Sequence, residues 1–312
     1  MNDFRNKVAV ITGAGSGFGR EFARLGASLD MQLVLADVQD DALQAIADEL
    51  HAQGVPVLAR RVDVSDGDQI DALAAATMER FGAVHLLFNN AGVGTAGLIW
   101  ESSVHDWSWS LGVNLWGVVH GIRAFTPLML AAAAADPAYR GHIVNSASMA
   151  GLLNNPTTGV YNASKHAVLG LSETLYHDLS LVTAQVHCSV LCPYFVPTGI
   201  SHSERNRPAT LSDDGEPTPS QRIARAMIDK AVNSGKVGAA EVARMTFQAI
   251  RDEAFYIFSH PHALEPVRQH AEALIARHNP PDPYAEHPQL RAQLQAALRE
   301  TTHDTTRSQH GS

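Results

Sequence analysis

The amino-acid sequence predicts a doubly wound α/β fold built on one parallel sheet, and three features carry that prediction. Strand-length runs rich in Val, Ile and Leu are nearly continuous rather than alternating, helical segments separate them, and a glycine-rich turn follows the first run at once. Continuous apolar strands belong to a sheet covered on both faces, and parallel neighbours require crossovers that helices supply. The strand runs fall at 7–11, 33–36, 56–60, 84–88, 142–145, 186–191 and 255–258. Between them, 20–29, 40–53, 69–81, 111–133, 160–181 and 239–251 show helix-forming composition or apolar residues at three-and-four spacing. No Pro/Gly/Ser-rich linker breaks the alternation before residue 260, so residues 1–260 read as one domain and 261–312 as a helical extension. Two stretches leave the rhythm. Residues 198–220, with Pro208, Pro217, Pro219 and Asp213-Asp214-Gly215, read as a long mobile loop with the makings of a lid. A helix at 221–232 follows it, and the two together form an expected substrate segment, 198–235. Beyond 258 the pattern gives helices at 264–278 and 290–298 around Asn279-Pro280-Pro281-Asp282-Pro283, and disorder is expected for the last dozen residues.

Composition narrows the function. The 312 residues are 45% hydrophobic and 18% charged, which fits a globular core and excludes the low-hydropathy signature of disorder. A formal net charge of −9 and no lysine or arginine cluster argue against a nucleic-acid partner. The stretch 124–135 is interrupted by Thr126 and Pro127 and is shorter than the roughly 20 residues a spanning helix needs, so no membrane segment is expected. The polar start lacks the layout of a secretory signal. Cys188 and Cys192 lie four apart in a strand, too distant for a mutual bond, and a cytoplasmic location is expected. The sixteen histidines show no metal-ligand spacing, so no metal is expected. Trp100, Trp107, Trp109 and Trp116 cluster before the long helix and suggest core or a subunit contact.

The first strand runs into Thr12-Gly13-Ala14-Gly15-Ser16-Gly17-Phe18-Gly19 and then a helix. Such a turn brings backbone N–H groups close to a pyrophosphate, and the helix dipole adds attraction; a tight turn using glycine for positive φ is the plainer alternative. Asp37 closes the second strand 20 residues after Gly17, where a ribose-binding acid belongs. Together these indicate a dinucleotide in a Rossmann-like domain. An aspartate there accepts bonds from both ribose hydroxyls and repels a 2′-phosphate, and neither Ser16 nor Val38 is basic. NAD is therefore favoured over NADP. Arg60 and Arg61 are the residues able to reverse that preference, unless they simply end a strand in solvent.

Ser146-Ala147-Ser148 ends the fifth strand, and Tyr161-Asn162-Ala163-Ser164-Lys165 opens the next helix. Tyr161 and Lys165 at i and i+4 share a helix face, so the ammonium favours the phenolate and makes the tyrosine a general acid/base. Alone, the pair would equally suit an ordinary helix. With Thr-Gly-x-x-x-Gly-x-Gly at 12–19, Asn89-Asn90-Ala91-Gly92, Asn114, and Ser148 placed 13 residues before Tyr161, the chain resembles the short-chain dehydrogenase/reductase family over residues 5 to about 260. Ser16 stands where the family's extended branch has glycine, so the shorter branch is the one resembled.

The resemblance implies a set of roles. Tyr161 exchanges a proton with the alcohol or carbonyl oxygen while hydride passes at the nicotinamide, and Ser148 hydrogen-bonds the same oxygen. Lys165 also binds the nicotinamide ribose, and Asn114 holds a water that relays protons. Gly13, Ser16, Gly17, Phe18 and Gly19 belong to the pyrophosphate turn, Asp37 and Val38 to the adenosine ribose, and Asn90, Ala91 and Gly92 to the cofactor wall. Asp63 and Val64 match the adenine contact, with a helix cap using Ser65 as the alternative for Asp63. Pro193, Val196 and Thr198 match positions at the carboxamide. Tyr194 replaces the family's glycine, so its ring either walls the substrate pocket or turns away into packing. A homodimer or homotetramer is implied. The expected activity is hydride transfer between NAD, or NADP, and a small-molecule secondary alcohol or ketone, bulky and apolar, given the long loop at 198–220, the tail beyond Phe258 and the lack of a cationic residue near Ser148 or in Asn154-Asn155-Pro156 to bind an acid. The alternative is a redox-inactive dinucleotide sensor, against which intact Ser148, Tyr161 and Lys165 speak.

Overall fold

The structure is a computed structural model that describes residues 1–213 and 215–309, with side chains as far as Arg299. Seven strands form one wholly parallel sheet: β1 (Val8–Thr12), β2 (Gln32–Asp37), β3 (Val57–Arg61), β4 (Leu86–Asn89), β5 (Gly141–Ser146), β6 (Val186–Cys192) and β7 (Tyr256–Phe258). Their order is β3-β2-β1-β4-β5-β6-β7, so the winding reverses between β1 and β4. All seven predicted runs are strands, with ends within two residues. The helices are α1 (Gly17–Ser28), α2 (Asp40–His51), α3 (Gly67–Phe81), α4 (Val104–Leu111), α5 (Gly117–Ala135), α6 (Gly159–Val182), α7 (Pro219–Asn233), α8 (Ala239–Asp252), α9 (Leu264–Ile275) and α10 (Pro288–Gln309).

Alternate residues of β1 face opposite layers, as a two-sided sheet demands. Ala9 and Ile11 pack with Phe22 of α1, Ile46 and Leu50 of α2, and Phe247 and Ile250 of α8. Val8 and Val10 face Ile70 and Leu73 of α3, Phe125 and Met129 of α5, and Leu175 and Leu179 of α6. Phe88 on β4 stacks on Phe22 at 4.7 Å and approaches Phe247 at 5.7 Å, which fastens α1 and α8 over the reversal point.

Three features depart from the sequence reading. The helix expected at 111–133 begins earlier, at Val104, because Ser103 and Asp106 form a reciprocal capping box; a π turn at Gly112–Trp116 then joins α4 to α5. That join makes Val104–Ala135 long and apolar enough to cross a membrane by length and composition, where the sequence alone showed only a short run. Here its buried side chains pack on the sheet, with Phe125 and Met129 fully buried. The segment read as a mobile loop instead forms two 3₁₀ turns, Gly199–Asn206 and Ala209–Leu211. Finally, α10 lies against α7 and buries Leu294, so the extension braces the substrate segment rather than standing apart. The disorder expected for the last dozen residues concerns side chains outside those described. Of the tryptophans, Trp109 is buried, while Trp100 and Trp116 are exposed.

Candidate active site

The reversal between β1 and β4 opens a crevice at the carboxyl ends of the strands, the place where ligands of open α/β sheets bind. Gly13 (φ +66°) turns the chain out of β1, and a Cβ there would come 2.8 Å from Ala91 Cα. Gly19 seats α1 against that turn: a Cβ would lie 2.1 Å from the Gly13 carbonyl oxygen. Ser16, the N-cap of α1, makes no side-chain cap bond, and no acidic residue occupies the first turn, so the N-terminal amides keep their affinity for an anion. Thr12 Oγ donates to Phe88 O and accepts from the amides of Asn90 and Ala91, while Asn90 Nδ2 donates to Thr12 O at 3.0 Å. These bonds lock the β1 and β4 exits together.

At one end of the cleft, Asp37 accepts from the Gly15 amide (2.8 Å) and the Gln39 amide (2.9 Å), which fixes its carboxylate before anything binds. At the other end, Tyr161 and Lys165 rise from the first turns of α6 with Ser146 and Ala147 of the β5 exit. Lys165 is buried, and its Nζ donates to Ser146 O at 2.8 Å and lies 5.7 Å from the Tyr161 ring centre. Burial pushes the Lys165 ammonium down to about 8. Burial likewise pushes the Tyr161 phenol above its ordinary value, opposed by a hydrogen bond with Ser148. The influence that opposes burial at the phenol is the Ser148 hydroxyl, while the Lys165 ammonium is engaged by Ser146 O. Ser148 Oγ is itself held, accepting from the Ala150 amide (3.1 Å) and lying 3.4 Å from Pro193 O.

Residues 7–209 match the short chain dehydrogenase family. The chain is a short-chain dehydrogenase/reductase. A solved member of this family from Burkholderia phymatum, in complex with NAD, is 55% identical, covers 91% of this chain and 99% of its own, and superposes with a TM-score of 0.88. The CLA biosynthesis dehydrogenase/reductase of Lactiplantibacillus plantarum is 34% identical over 84% of this chain and 90% of its own. The 1-deoxy-11-beta-hydroxypentalenate dehydrogenase of Streptomyces arenae is 32% identical over 98% of this chain and 99% of its own. The chain is accordingly an oxidoreductase that uses a nicotinamide cofactor, NAD or NADP.

Within this dehydrogenase fold the predicted residues separate into two groups. Gly13, Ser16, Gly17, Phe18, Asp37, Val38, Asp63, Val64, Asn90, Ala91, Gly92, Tyr161, Lys165, Pro193 and Thr198 line one cleft. Gly19 and Val196 do not: Gly19 is consumed by packing on Gly13, and the Val196 side chain sits in the core. Asp63 accepts from Ser65 N and Oγ in a local turn, and Asp66 caps α3 instead. Asn114 is fully buried in the π turn; its amide brackets Val93, accepting from N and donating to O, and donates to Ser164 Oγ. Tyr194 turns away from the cleft. Its amide donates to Ser259 Oγ, which draws the residue toward the β7 exit, and its ring rests 4.5 Å from Phe195 and 5.9 Å from His260. The sequence reading missed Trp109, Ile200, Ser203, Asn206 and Leu211 in the cleft wall, and a buried chain from Asn89 through Asn145 to Ser172 beneath it. Neither group carries a motif; only the capping pattern Ser103-x-x-Asp106 pointed to α4.

Proposed function

We propose that this chain is an NAD-dependent dehydrogenase of bulky, apolar secondary alcohols, working in reverse as a ketone reductase, in the cytoplasm and as a homodimer or homotetramer. The observation that carries it is the convergence of Tyr161, Lys165 and the Ser146–Ala147 exit at one end of a cleft whose other end is closed by a preformed Asp37 carboxylate, with Ser148 hydrogen-bonded to Tyr161. The residues suit a dinucleotide: Gly13 and Gly17 hold positive φ where the backbone must stay bare, and the first turn of α1 is uncapped by side chains. Asp37 repels a 2′-phosphate and its two amide partners leave each oxygen a further lone pair, which supports NAD over NADP.

When bound, the nicotinamide accepts or donates the hydride and, oxidised, adds a positive charge to the site. Tyr161 exchanges the proton at the substrate oxygen, and Ser148 orients that oxygen through the hydroxyl already fixed by Ala150 and Pro193. Lys165 supplies the cationic neighbour, its charge already weakened by burial and thus responsive to added anions. A Cβ on Gly92 would sit 3.4 Å from Asn114 Oδ1 and 3.6 Å from Lys165 Nζ, so the bare glycine leaves room for the proton relay assigned to Asn114. The substrate class is supported by the absence of Lys or Arg from 149–158.

The test is Tyr161→Phe. Turnover of an alicyclic alcohol falls about 1,000-fold, equivalent to about 4 kcal/mol, while NADH titration moves less than threefold. A loss under tenfold overturns the role of Tyr161. NADH binding weaker than NADPH binding overturns the cofactor preference, and a panel in which small hydroxy acids outperform alicyclic alcohols overturns the substrate class.

A further inference from the structure

Residues 199–213 run across the mouth of the cleft and are fastened on both of its banks. On the β2 side, Gln39 Nε2 donates to Asn206 Oδ1 at 2.6 Å. On the β4 side the fastening is Arg207, whose side chain is only 8% exposed. Its Nη1 lies 2.7 Å from Asp106 on α4, equally buried, its Nη2 lies 3.2 Å from Asp213, and its Nε donates to Leu211 O at 2.7 Å. The guanidinium sits 5.3 Å from the ring centre of Trp109, a buried residue of the cleft wall. Ser203, Asn206 and Leu211 of the same segment face the cleft.

With the segment in this position, Ile200, Ser203, Asn206 and Leu211 form part of the wall of the cleft that Asp37, Tyr161 and Lys165 also line. Lifting the segment removes that wall and widens the way out for a cofactor seated in the cleft. Lifting separates a buried ion pair and strips a guanidinium from an aromatic face, and a buried charge that loses its partner is costly. We propose that Arg207 is a positioning residue, the latch that holds residues 199–213 over the bound cofactor and sets how fast the cofactor departs. The proposal rests on the dinucleotide reading above. It does not need the substrate class.

Three variants test it. Arg207→Leu removes the latch but strands Asp106, so Asp106→Asn/Arg207→Leu removes both charges and guards against misfolding; Arg207→Lys keeps the charge without the fork. NADH dissociation followed by stopped-flow fluorescence rises tenfold or more in the single and double variants and by an intermediate amount in Arg207→Lys. Cofactor KM rises with it, kcat at saturating cofactor does not fall, and amide exchange at 199–211 quickens. Release within twofold of the parent in the folded double variant overturns the latch whatever the exchange shows, as does a fall in kcat at unchanged cofactor KM. A parent protein that binds neither NADH nor NADPH overturns both readings. One that binds NADH but turns over no alcohol or ketone overturns only the proposed activity, and the release rate still decides the latch.

Discussion

The glycine turn at 12–19 and the segment 199–213 enclose the same cleft by opposite means. The turn is held by main-chain contact: Gly19 against the Gly13 carbonyl, and the β1 exit against Asn90 and Ala91. Its partners are close in sequence or set by strand register. The segment is held by side chains whose partners are 101 residues away, for Arg207 and Asp106, or 167 away, for Gln39 and Asn206. A region built on backbone fit belongs to the sheet and fails with it. A region built on a few polar side chains opens on its own, at a free energy well below that of unfolding, and this is where gating motion is found.

The largest test of that contrast is Gly19→Ala. The added methyl meets a main-chain carbonyl within a packed helix–strand junction, which has no flexible side chain to give way. A stability loss of about 3 kcal/mol is expected, at the upper end of overpacking costs, and a melting point lower by about 5 °C. Calorimetry showing no change beyond 2 °C would mean that the turn yields as the segment does, and the contrast would fail.

Acid gives the next effect, again on the whole sheet. His142 on β5 is buried, with Nε2 2.7 Å from Ser189 Oγ, whose proton goes to Ala254 O. The imidazole therefore donates, and burial pushes its pKa down to about 3 from an unfolded value near 6.5. Between those values the unfolded chain binds more protons than the folded one, so stability declines as pH falls below 6.5. About 2 kcal/mol is lost by pH 5, and the decline continues toward the folded pKa. Urea midpoints at pH 7.5 and 5 should differ accordingly, and the difference should shrink in His142→Gln. Equal shrinkage failing to appear would place the acid sensitivity elsewhere.

What was legible in the sequence follows the same division. The seven strands show because apolar runs must be continuous where both sheet faces are covered, and the glycine turn, Asp37, Tyr161 and Lys165 show because each is fixed by short spacing from a strand end. Tyr194 was ambiguous, since its ring contacts with Phe195 and His260 are set by the β7 exit, far along the chain. For Tyr161, i,i+4 spacing reports the nearby ammonium but not the burial that pushes the phenol up. Residues 198–220 read as an irregular loop because Pro208, Pro217, Pro219 and a polar composition give no sign of the partners that Arg207 and Asn206 find on α4 and beyond β2. Long-range polar pairing leaves no periodicity to read.

The smallest effect probes the other bank of the cleft. Gln39→Ala removes the bond to Asn206 but leaves the Gln39 amide on Asp37, so the ribose-binding carboxylate keeps its support. A partly exposed neutral hydrogen bond contributes about 0.5–1.5 kcal/mol. Local opening of 199–206 should therefore become about threefold more frequent, visible as faster amide exchange there, while the melting point stays within 1 °C. The same variant combined with Arg207→Leu discriminates two pictures of the segment. If the banks release independently, exchange rises by the product of the single effects. If the segment lifts as one piece only after Arg207 lets go, removing the Gln39 bond accelerates exchange further in the Arg207→Leu background than in the parent, and the two fastenings are coupled.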